Sequence, residues 1–490
     1  MTYITSYKNQ NWLLPLSIKS MIPENHICFF VEEFTESLDF SEFDMISEGP
    51  GYPSYHPRIL VKILLQGMLS KERSSRKLSS ACRENFVFMY LAEKVQPNFR
   101  TICRFRRENA NFLKQVFKET IKLASEYNLL DLNFIAIDGT TLKANANRKK
   151  VLKREQVEQL DSIIDKMVDE DIKQDEIEKE IYKDSEEHLT KIDKENLKNI
   201  VSEYRKAKDK KKLKEKIGKI KKELNENPKI KRASTSDPEC RMMLNKKGNK
   251  EFSYNAQFSA DSKNQIIVAN DVCNEGHDAN QLKPQINQIK ENVGINKETK
   301  IGVDCGYNSG KNLKFLEEEK IDGYAPNRNQ AQKFNGKEDS CDQDNYEYDE
   351  KRNELIVEGK RFFYKGSYKM KTGEKRFTYY CKELKKKKDV PEFFRSRLRM
   401  KKKMETPEAK EIYNKRKTII EPIIGNIKEN LGFREMSLRG LERVKIEVNL
   451  VSITHNLKKI WLAKGKICNN ESEIHFCQIF TINYLDCDTA

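Results

Sequence analysis

Apolar residues recur every three or four positions through ILVKILLQGMLS, SSRKLSSACRENFVFMYLAE and FRTICRFRRENANFLKQVFKETIKLASEY, a spacing that predicts helices over most of residues 1–127. Proline and glycine in GPGYPSYHP (49–57) punctuate them. From LNFIAIDGTT onward the period becomes strand-like. The apolar run that stops at Asp138, followed by Gly139, predicts a buried strand with a carboxylate at its tip. Further strands are expected at EFSYNAQFSAD, NQIIVANDVCN, TKIGVDCGY and DGYAPN, with helices at DANQLKPQINQIKENV and SGKNLKFLEEEKI. That order is a mixed α/β sheet. No glycine-rich phosphate loop follows the first strand, which argues against a doubly wound nucleotide fold.

Two segments interrupt the sheet. Between 148 and 232, Val157, Leu160, Ile164 and Met167, then Leu213, Ile217, Ile220 and Leu224, alternate in steps of three and four, which is coiled-coil spacing. The half 148–190 is net acidic and the half 191–232 net basic. An antiparallel helical hairpin with mutually attracting arms follows, each about 50 Å long at 1.5 Å per residue. The thin apolar stripe leaves a partly disordered charged linker as the alternative. The second interruption, 331–404, sets short β-like pieces (NELIVEG, RFFYKGSYKM, KRFTYYCKEL) among the cationic runs KKKK (385–388) and RSRLRMKKK. Tyr364, Tyr368, Tyr379 and Tyr380 are its candidates for stacking on a base; a solvated sheet is the plainer alternative.

Charge sharpens this picture. The 490 residues carry 92 Lys and Arg against 76 Asp and Glu, a net charge of +16, and only 37% are hydrophobic. Such a balance favours a polyanionic partner. In the helical N-terminal region Arg76, Arg104 and Arg107 lie among many basic residues on short helices, the layout of a helical DNA-reading module; a solvated charged face is the alternative. The eleven cysteines include no C-x-x-C pair, so neither a zinc ribbon nor a disulfide framework is suggested. No apolar run approaches the roughly 20 residues needed to span a bilayer, and MTYITSYKNQ lacks the order of a signal peptide, so a cytosolic protein with no membrane partner is expected.

The carboxylates that end strands are the candidate chemistry, because hard divalent cations need convergent oxygen ligands. Asp138 ends IAIDG and Asp304 ends IGVDCGY, although a D-G after a strand is by itself usually a turn. Downstream, Tyr413, Arg416, Glu421 and Lys428 form Y-x2-R-x4-E-x6-K. This pattern resembles the signature of bacterial insertion-sequence DDE transposases of the cut-and-paste group, whose catalytic core is ribonuclease-H-like. The stretches PSYHPRILVKILLQGMLSKERSSRKLSSACRENFVFMYL, PNFRTICRFRREN, AIDGTTLKANANRKK, YNAQFSADSKNQIIVANDVCNEGHD, VDCGYNSGKNLKFLEEEKIDGYAPN and IIEPIIGNIKENLGFREMSLRGLE resemble the same family, in the same order.

The resemblance implies that Asp138, Asp304 and Glu421, separated by 166 and 117 residues, hold two Mg²⁺ or Mn²⁺ ions for in-line phosphoryl transfer on DNA. It further implies that Tyr413, Arg416 and Lys428 grip phosphates at the cut end, with Lys415, Lys417 and Arg434 extending the surface. The substrates would be double-stranded terminal inverted repeats and target DNA, held by at least a homodimer in a bacterial cytoplasm, nucleoid-associated when bound. The corresponding organisation is a helical DNA-binding domain (1–127), a ribonuclease-H-like core (128–147, 239–330 and 405–463), a charged helical hairpin (148–238), a basic β-rich insertion (331–404) and a tail (464–490).

Arg416 and Glu421 stand five apart where the simplest signature has four, and Pro422 follows directly. A kink or π-bulge at 417–422 is therefore expected to turn Arg416 back towards the cleft. Asn255, Gln257, His277 and Asp278 are secondary candidates for positioning the metal or a strand, and buried hydrogen bonding is an equal alternative. A metal-dependent nuclease that cuts without joining, a domesticated copy, and a DNA-binding scaffold stay open beside the transposase.

Overall fold

The computed structural model describes residues 17–47, 54–147, 151–169, 210–228, 230–245, 248–336, 345–371 and 373–469. Trp12, Cys341, the middle of the expected helical hairpin (170–209) and tail residues 470–490 lie outside them. The chain forms two compact units, residues 1–129 with 450–490, and residues 130–449.

In the first unit short helices are α1 (Ile27–Glu36), α2 (Ser41–Ser47), α3 (Pro57–Leu69), α4 (Ser75–Glu84), α5 (Phe86–Leu91), α6 (Phe99–Glu108) and α7 (Ala110–Glu126). Helix α3 starts with proline at its first turn, where a missing N–H costs nothing, and the imidazole of His56 accepts from the amide of Arg58. It is apolar almost all round and buried, which makes it the centre of the unit. Its buried charge, Lys62, is 1% exposed and pairs with Glu36 at 2.5 Å and Glu93 at 3.2 Å, as a buried cation requires.

The second unit is built on a six-stranded mixed sheet. Its strands are β1 (Phe134–Lys143), β4 (Arg241–Leu244), β5 (Lys250–Asp261), β6 (Ile267–Cys273), β7 (Lys300–Val303) and β8 (Asp322–Tyr324). β5 pairs antiparallel with β1 and β6, whereas β1, β7 and β8 run parallel. This mixed sheet is consistent with a ribonuclease-H-like core. Ile135, Ile137, Ile301 and Val303 bury against Leu282, Ile286, Ile289, Leu313 and Leu316 of helices Leu282–Asn292 and Gly310–Glu318. Each such side chain contributes about 1.5–3 kcal/mol on leaving water. The other face carries the helix Pro407–Gly425, whose buried residues Tyr413, Arg416, Ile420, Ile423 and Ile424 follow helical spacing.

At the interruption after β1, β2 (Val151–Lys153) and β3 (Arg232–Ser234) pair antiparallel and lead into helices Arg154–Asp169 and Lys210–Glu226. Val157 and Leu160 are buried, as are Ile217, Ile220 and Leu224. Arg154 reaches Asn225 and Lys221 reaches Asp161, so the two described helical segments run antiparallel. The side chains of Ile164, Met167 and Leu213 lie outside the described residues.

The other insertion is a five-stranded antiparallel sheet in the order β13-β12-β11-β10-β9, made of β9 (Glu347–Asp349), β10 (Glu354–Val357), β11 (Lys360–Lys369), β12 (Lys375–Cys381) and β13 (Lys386–Pro391). Phe394 and Leu398 of the following helix pack on it. Part of the KKKK run becomes edge strand β13, where lysines discourage further pairing. Tyr364 and Tyr368 are exposed. Tyr379 is not available for stacking, because it is a core residue whose hydroxyl donates to Asn353.

Candidate active site

Strand pairing brings the two aspartates together. The β1–β7 register ends at Ile137 opposite Val303, so Asp138 and Asp304 follow as the next residues on neighbouring parallel strands. Asp138 is not at a strand tip as its sequence context predicts. β1 continues to Lys143 because β5 supplies partners along the whole length, including Phe258 opposite Asp138. The end that matters is that of β7, where loss of the parallel neighbour opens the sheet edge beside Asp138.

Helix Pro407–Gly425 closes over this opening. Arg416 is 4% exposed; its Nη1 lies 3.0 Å from Asp138 Oδ2 and its Nη2 3.7 Å from Asp304 Oδ1. The hydroxyl of buried Tyr413 donates to Asp304 Oδ1 at 2.9 Å, and its ring lies 5.3 Å from the guanidinium. Burial pushes the Asp138 carboxyl up to about 6; Arg416 opposes the shift and the Asp304 charge adds to it. The Tyr413 hydroxyl is raised above its ordinary value, first by burial and then by Asp304.

The expected π-bulge does not fall at 417–422. The helix is α-helical through Pro422, and a π-turn follows at Asn426–Asn430. Proline removes the donor that would bond the carbonyl of Thr418, and Gln265 Nε2 donates to that oxygen instead, at 3.1 Å. Arg416 needs no kink to face the sheet, because Tyr413, Arg416, Ile420, Ile423 and Ile424 already share one helical stripe. Glu421 falls off that stripe and is exposed. Lys428, in the π-turn, donates to Thr140 Oγ1 at 2.6 Å and to the carbonyl of Thr141 at 3.2 Å, two residues along β1 from Asp138.

The structure thus gathers Asp138, Asp304, Tyr413 and Arg416, with Lys428 beside them and bonded to β1, and leaves Glu421 at the surface. Among the described residues no group of three or more His, Cys, Asp or Glu side chains is placed to hold a metal ion. The two aspartates do present the hard, convergent oxygens that a divalent cation takes, and the charge between them is now supplied by Arg416.

Of the basic residues expected to touch DNA, Arg104 is exposed, Arg107 pairs with Glu108 at the surface, and Arg76 lies over the ring of Phe99 at 5.1 Å. Neighbouring Arg106 is different: it is buried and donates to the carbonyl of Arg73. Lys415 lies over the Phe134 ring, Lys417 bonds Asn335, and Arg434 bonds Glu429. His277 is exposed, whereas Asn255, Gln257 and Asp278 form hydrogen bonds behind β1. Tyr307 joins them; only its place three residues after Asp304 singles it out in the sequence.

Residues 16–108 match a family described as a transposase domain (DUF772), and residues 375–461 match one described as a transposase DDE domain. The first segment contains Arg76, Arg104 and Arg107, the second Tyr413, Arg416, Glu421 and Lys428; Asp138 and Asp304 lie outside both. No curated protein and no solved structure matches the chain. The two matches support an insertion-sequence DDE transposase, an enzyme that acts on DNA. Among the described residues no helix is long and apolar enough to cross a membrane.

Proposed function

We propose that this protein is a DNA transposase of the Y-R-E-K group, which binds the terminal inverted repeats of its own element, cuts them and joins them to target DNA. The single observation carrying the chemistry is the convergence of Asp138 and Asp304 beneath Arg416 and Tyr413, which come from a segment that matches a transposase DDE domain. Asp138 and Asp304 would hold Mg²⁺ or Mn²⁺; Glu421, exposed and off the stripe that faces them, is not placed to complete the set. Such ions, two in number, activate the attacking oxygen and stabilise the leaving one.

The chain's own residues do the rest. Tyr413 fixes the orientation of Asp304 by donating to Oδ1. Arg416 balances the two carboxylates while no cation lies between them, and its positive charge suits a phosphate once they are otherwise neutralised. Lys428 is tied to Thr140 and Thr141 on the strand that carries Asp138, so a phosphate it grips is held in register with that carboxylate. Arg76, Arg104 and Arg107 would contact the repeat, and the insertion at 148–238 would contact a second subunit or a DNA end in a homodimer acting on DNA in the bacterial cytoplasm.

Strand joining tests this reading. Purified protein is incubated with Mg²⁺, a labelled duplex carrying the sequence that flanks the gene, and an unlabelled plasmid. Label covalently joined to the plasmid is expected; cutting without joining would assign a nuclease, and binding alone a scaffold.

A further inference from the structure

The opposite face of β1 carries a polar cluster that the reaction chemistry above does not use. Gln257 lies on β5 directly opposite Gly139 and is fully buried. Its Nε2 donates to Asp278 Oδ1 at 2.8 Å and to Asn255 Oδ1 at 3.0 Å, and its Oε1 accepts from the hydroxyl of Tyr307. Asn255 Nδ2 donates to the same Asp278 oxygen at 2.8 Å. Tyr307 is fully buried, and its amide donates to the carbonyl of Asp304 at 3.1 Å, closing the turn that presents Asp304. Asn312 Nδ2 ties the carbonyl of Tyr307 to that of Ala279, both at 2.8 Å.

Both glycines beside the aspartates are shaped to this cluster. A methyl group on Gly139 would overlap Gln257 Nε2 and come within 2.5 Å of Asp278 Oδ1, and one on Gly306 would lie 3.1 Å from Asp278 Oδ2. Asp278 therefore sits against the residue after Asp138 and close to the residue two beyond Asp304.

We propose that Asp278, Gln257 and Tyr307 form a positioning relay which, from behind the sheet, sets the relation of the Asp304 turn to the strand carrying Asp138, and so tunes how tightly the two carboxylates hold a divalent cation. The proposal rests on the reading of Asp138 and Asp304 as the metal-holding pair. A buried amide with one donor on the Asp278 carboxylate and the other on Asn255 Oδ1 has no slack: loss of the carboxylate leaves Gln257 with an unpaired N–H inside the sheet. Asp278 acts through Gln257 and Tyr307, so it is the acceptor oxygen that counts, and not the charge.

Mn²⁺ binding to the metal-free full-length chain, followed by loss of the free-ion electron paramagnetic resonance signal, tests the relay. Thermal melts run on every variant. Tyr307→Phe and Asp278→Ala are each expected to weaken Mn²⁺ binding about 10- to 100-fold, the usual cost of losing a support behind a ligand. Asp278→Asn keeps an oxygen for both donors and recovers most of the affinity. If Asn is as damaging as Ala, Asp278 contributes its charge directly and the positioning role is overturned. If Asp304→Asn weakens binding while Tyr307→Phe and Asp278→Ala bind as wild type at unchanged melting temperature, the relay is overturned and the metal-holding pair stands. Failure of the wild type to bind Mn²⁺ would overturn both.

Discussion

Arg416 stands between Asp138 and Asp304 as the counter-charge of a carboxylate pair, 3.0 Å from one and 3.7 Å from the other. Removing it leaves Asp138, 20% exposed, and Asp304, 39% exposed, without their shared counter-charge. In chelator-treated buffer Arg416→Ala is expected to lose roughly 3 kcal/mol of stability. Added Mg²⁺ is expected to raise its melting temperature by several degrees more than it raises that of the wild type, because the ion supplies the missing charge. Equal Mg²⁺ shifts in the two proteins would show that the cation does not take the place between the aspartates.

The raised carboxyl of Asp138 gives a pH test with a definite sign. Burial lifts its pKa from 3.8 to about 6, so the folded state binds this proton more tightly than the unfolded chain does. The resulting stabilisation is complete below about pH 4 and is lost as the pH rises through 6. In metal-free buffer Asp138→Asn, of the same shape without the charge, is expected to be more stable than wild type by about 1–3 kcal/mol at pH 7.5, with the gap closing towards pH 4. Urea melts across this range measure it; a gap that widens as the pH falls would contradict the assignment.

Much of this was legible in the sequence, and the parts that were not have physical reasons. The order of strands and helices in the core followed from period alone, because each element buries one face. Asp138 and Asp304 stood out as carboxylates ending apolar runs, but the length of β1 did not, since it is fixed by β5, more than a hundred residues away. The stripe through Tyr413, Arg416, Ile420 and Ile424 was present as spacing; the five-residue step to Glu421 drew attention to a kink, when the departure from the regular helix comes later, at Asn426–Asn430. The helix Leu441–Asn469 runs past residue 449, where the two compact units divide, and a continuous helical period carries no mark of such a boundary. Tyr307 carries no periodic signal, because buried polar contacts behind a sheet leave none.

Gly139 has no room for a side chain. Gly139→Ala is expected to cost about 1–3 kcal/mol, the range for overpacking a filled site, and to displace the backbone beside Asp138. Chemical denaturation gives the first quantity. A variant as stable as wild type would show that Gln257 and Asp278 yield freely and are not held as described.

Two neighbouring arginines of the N-terminal helices should behave differently. Arg104 is exposed, so Arg104→Ala is expected to leave the melting temperature unchanged and to lower the salt dependence of duplex binding by about one phosphate contact. Arg106 is buried and bonded to the carbonyl of Arg73, so Arg106→Ala is expected to reduce thermal stability. Fluorescence anisotropy from 50 to 300 mM salt with parallel melts separates the two; the reverse pattern would move the DNA surface elsewhere.

Metal-dependent cleavage of the element end is the most direct test of the carboxylate pair. Wild type, Asp138→Ala and Asp304→Ala are compared on a labelled duplex carrying the gene's flanking end, with binding scored in the same lanes. All three are expected to retain the duplex, and only the wild type to cut at the end when Mg²⁺ or Mn²⁺ is added, the variants falling by at least about a thousandfold. Undiminished cleavage by either variant, with binding intact, would show that the chemistry lies outside Asp138 and Asp304.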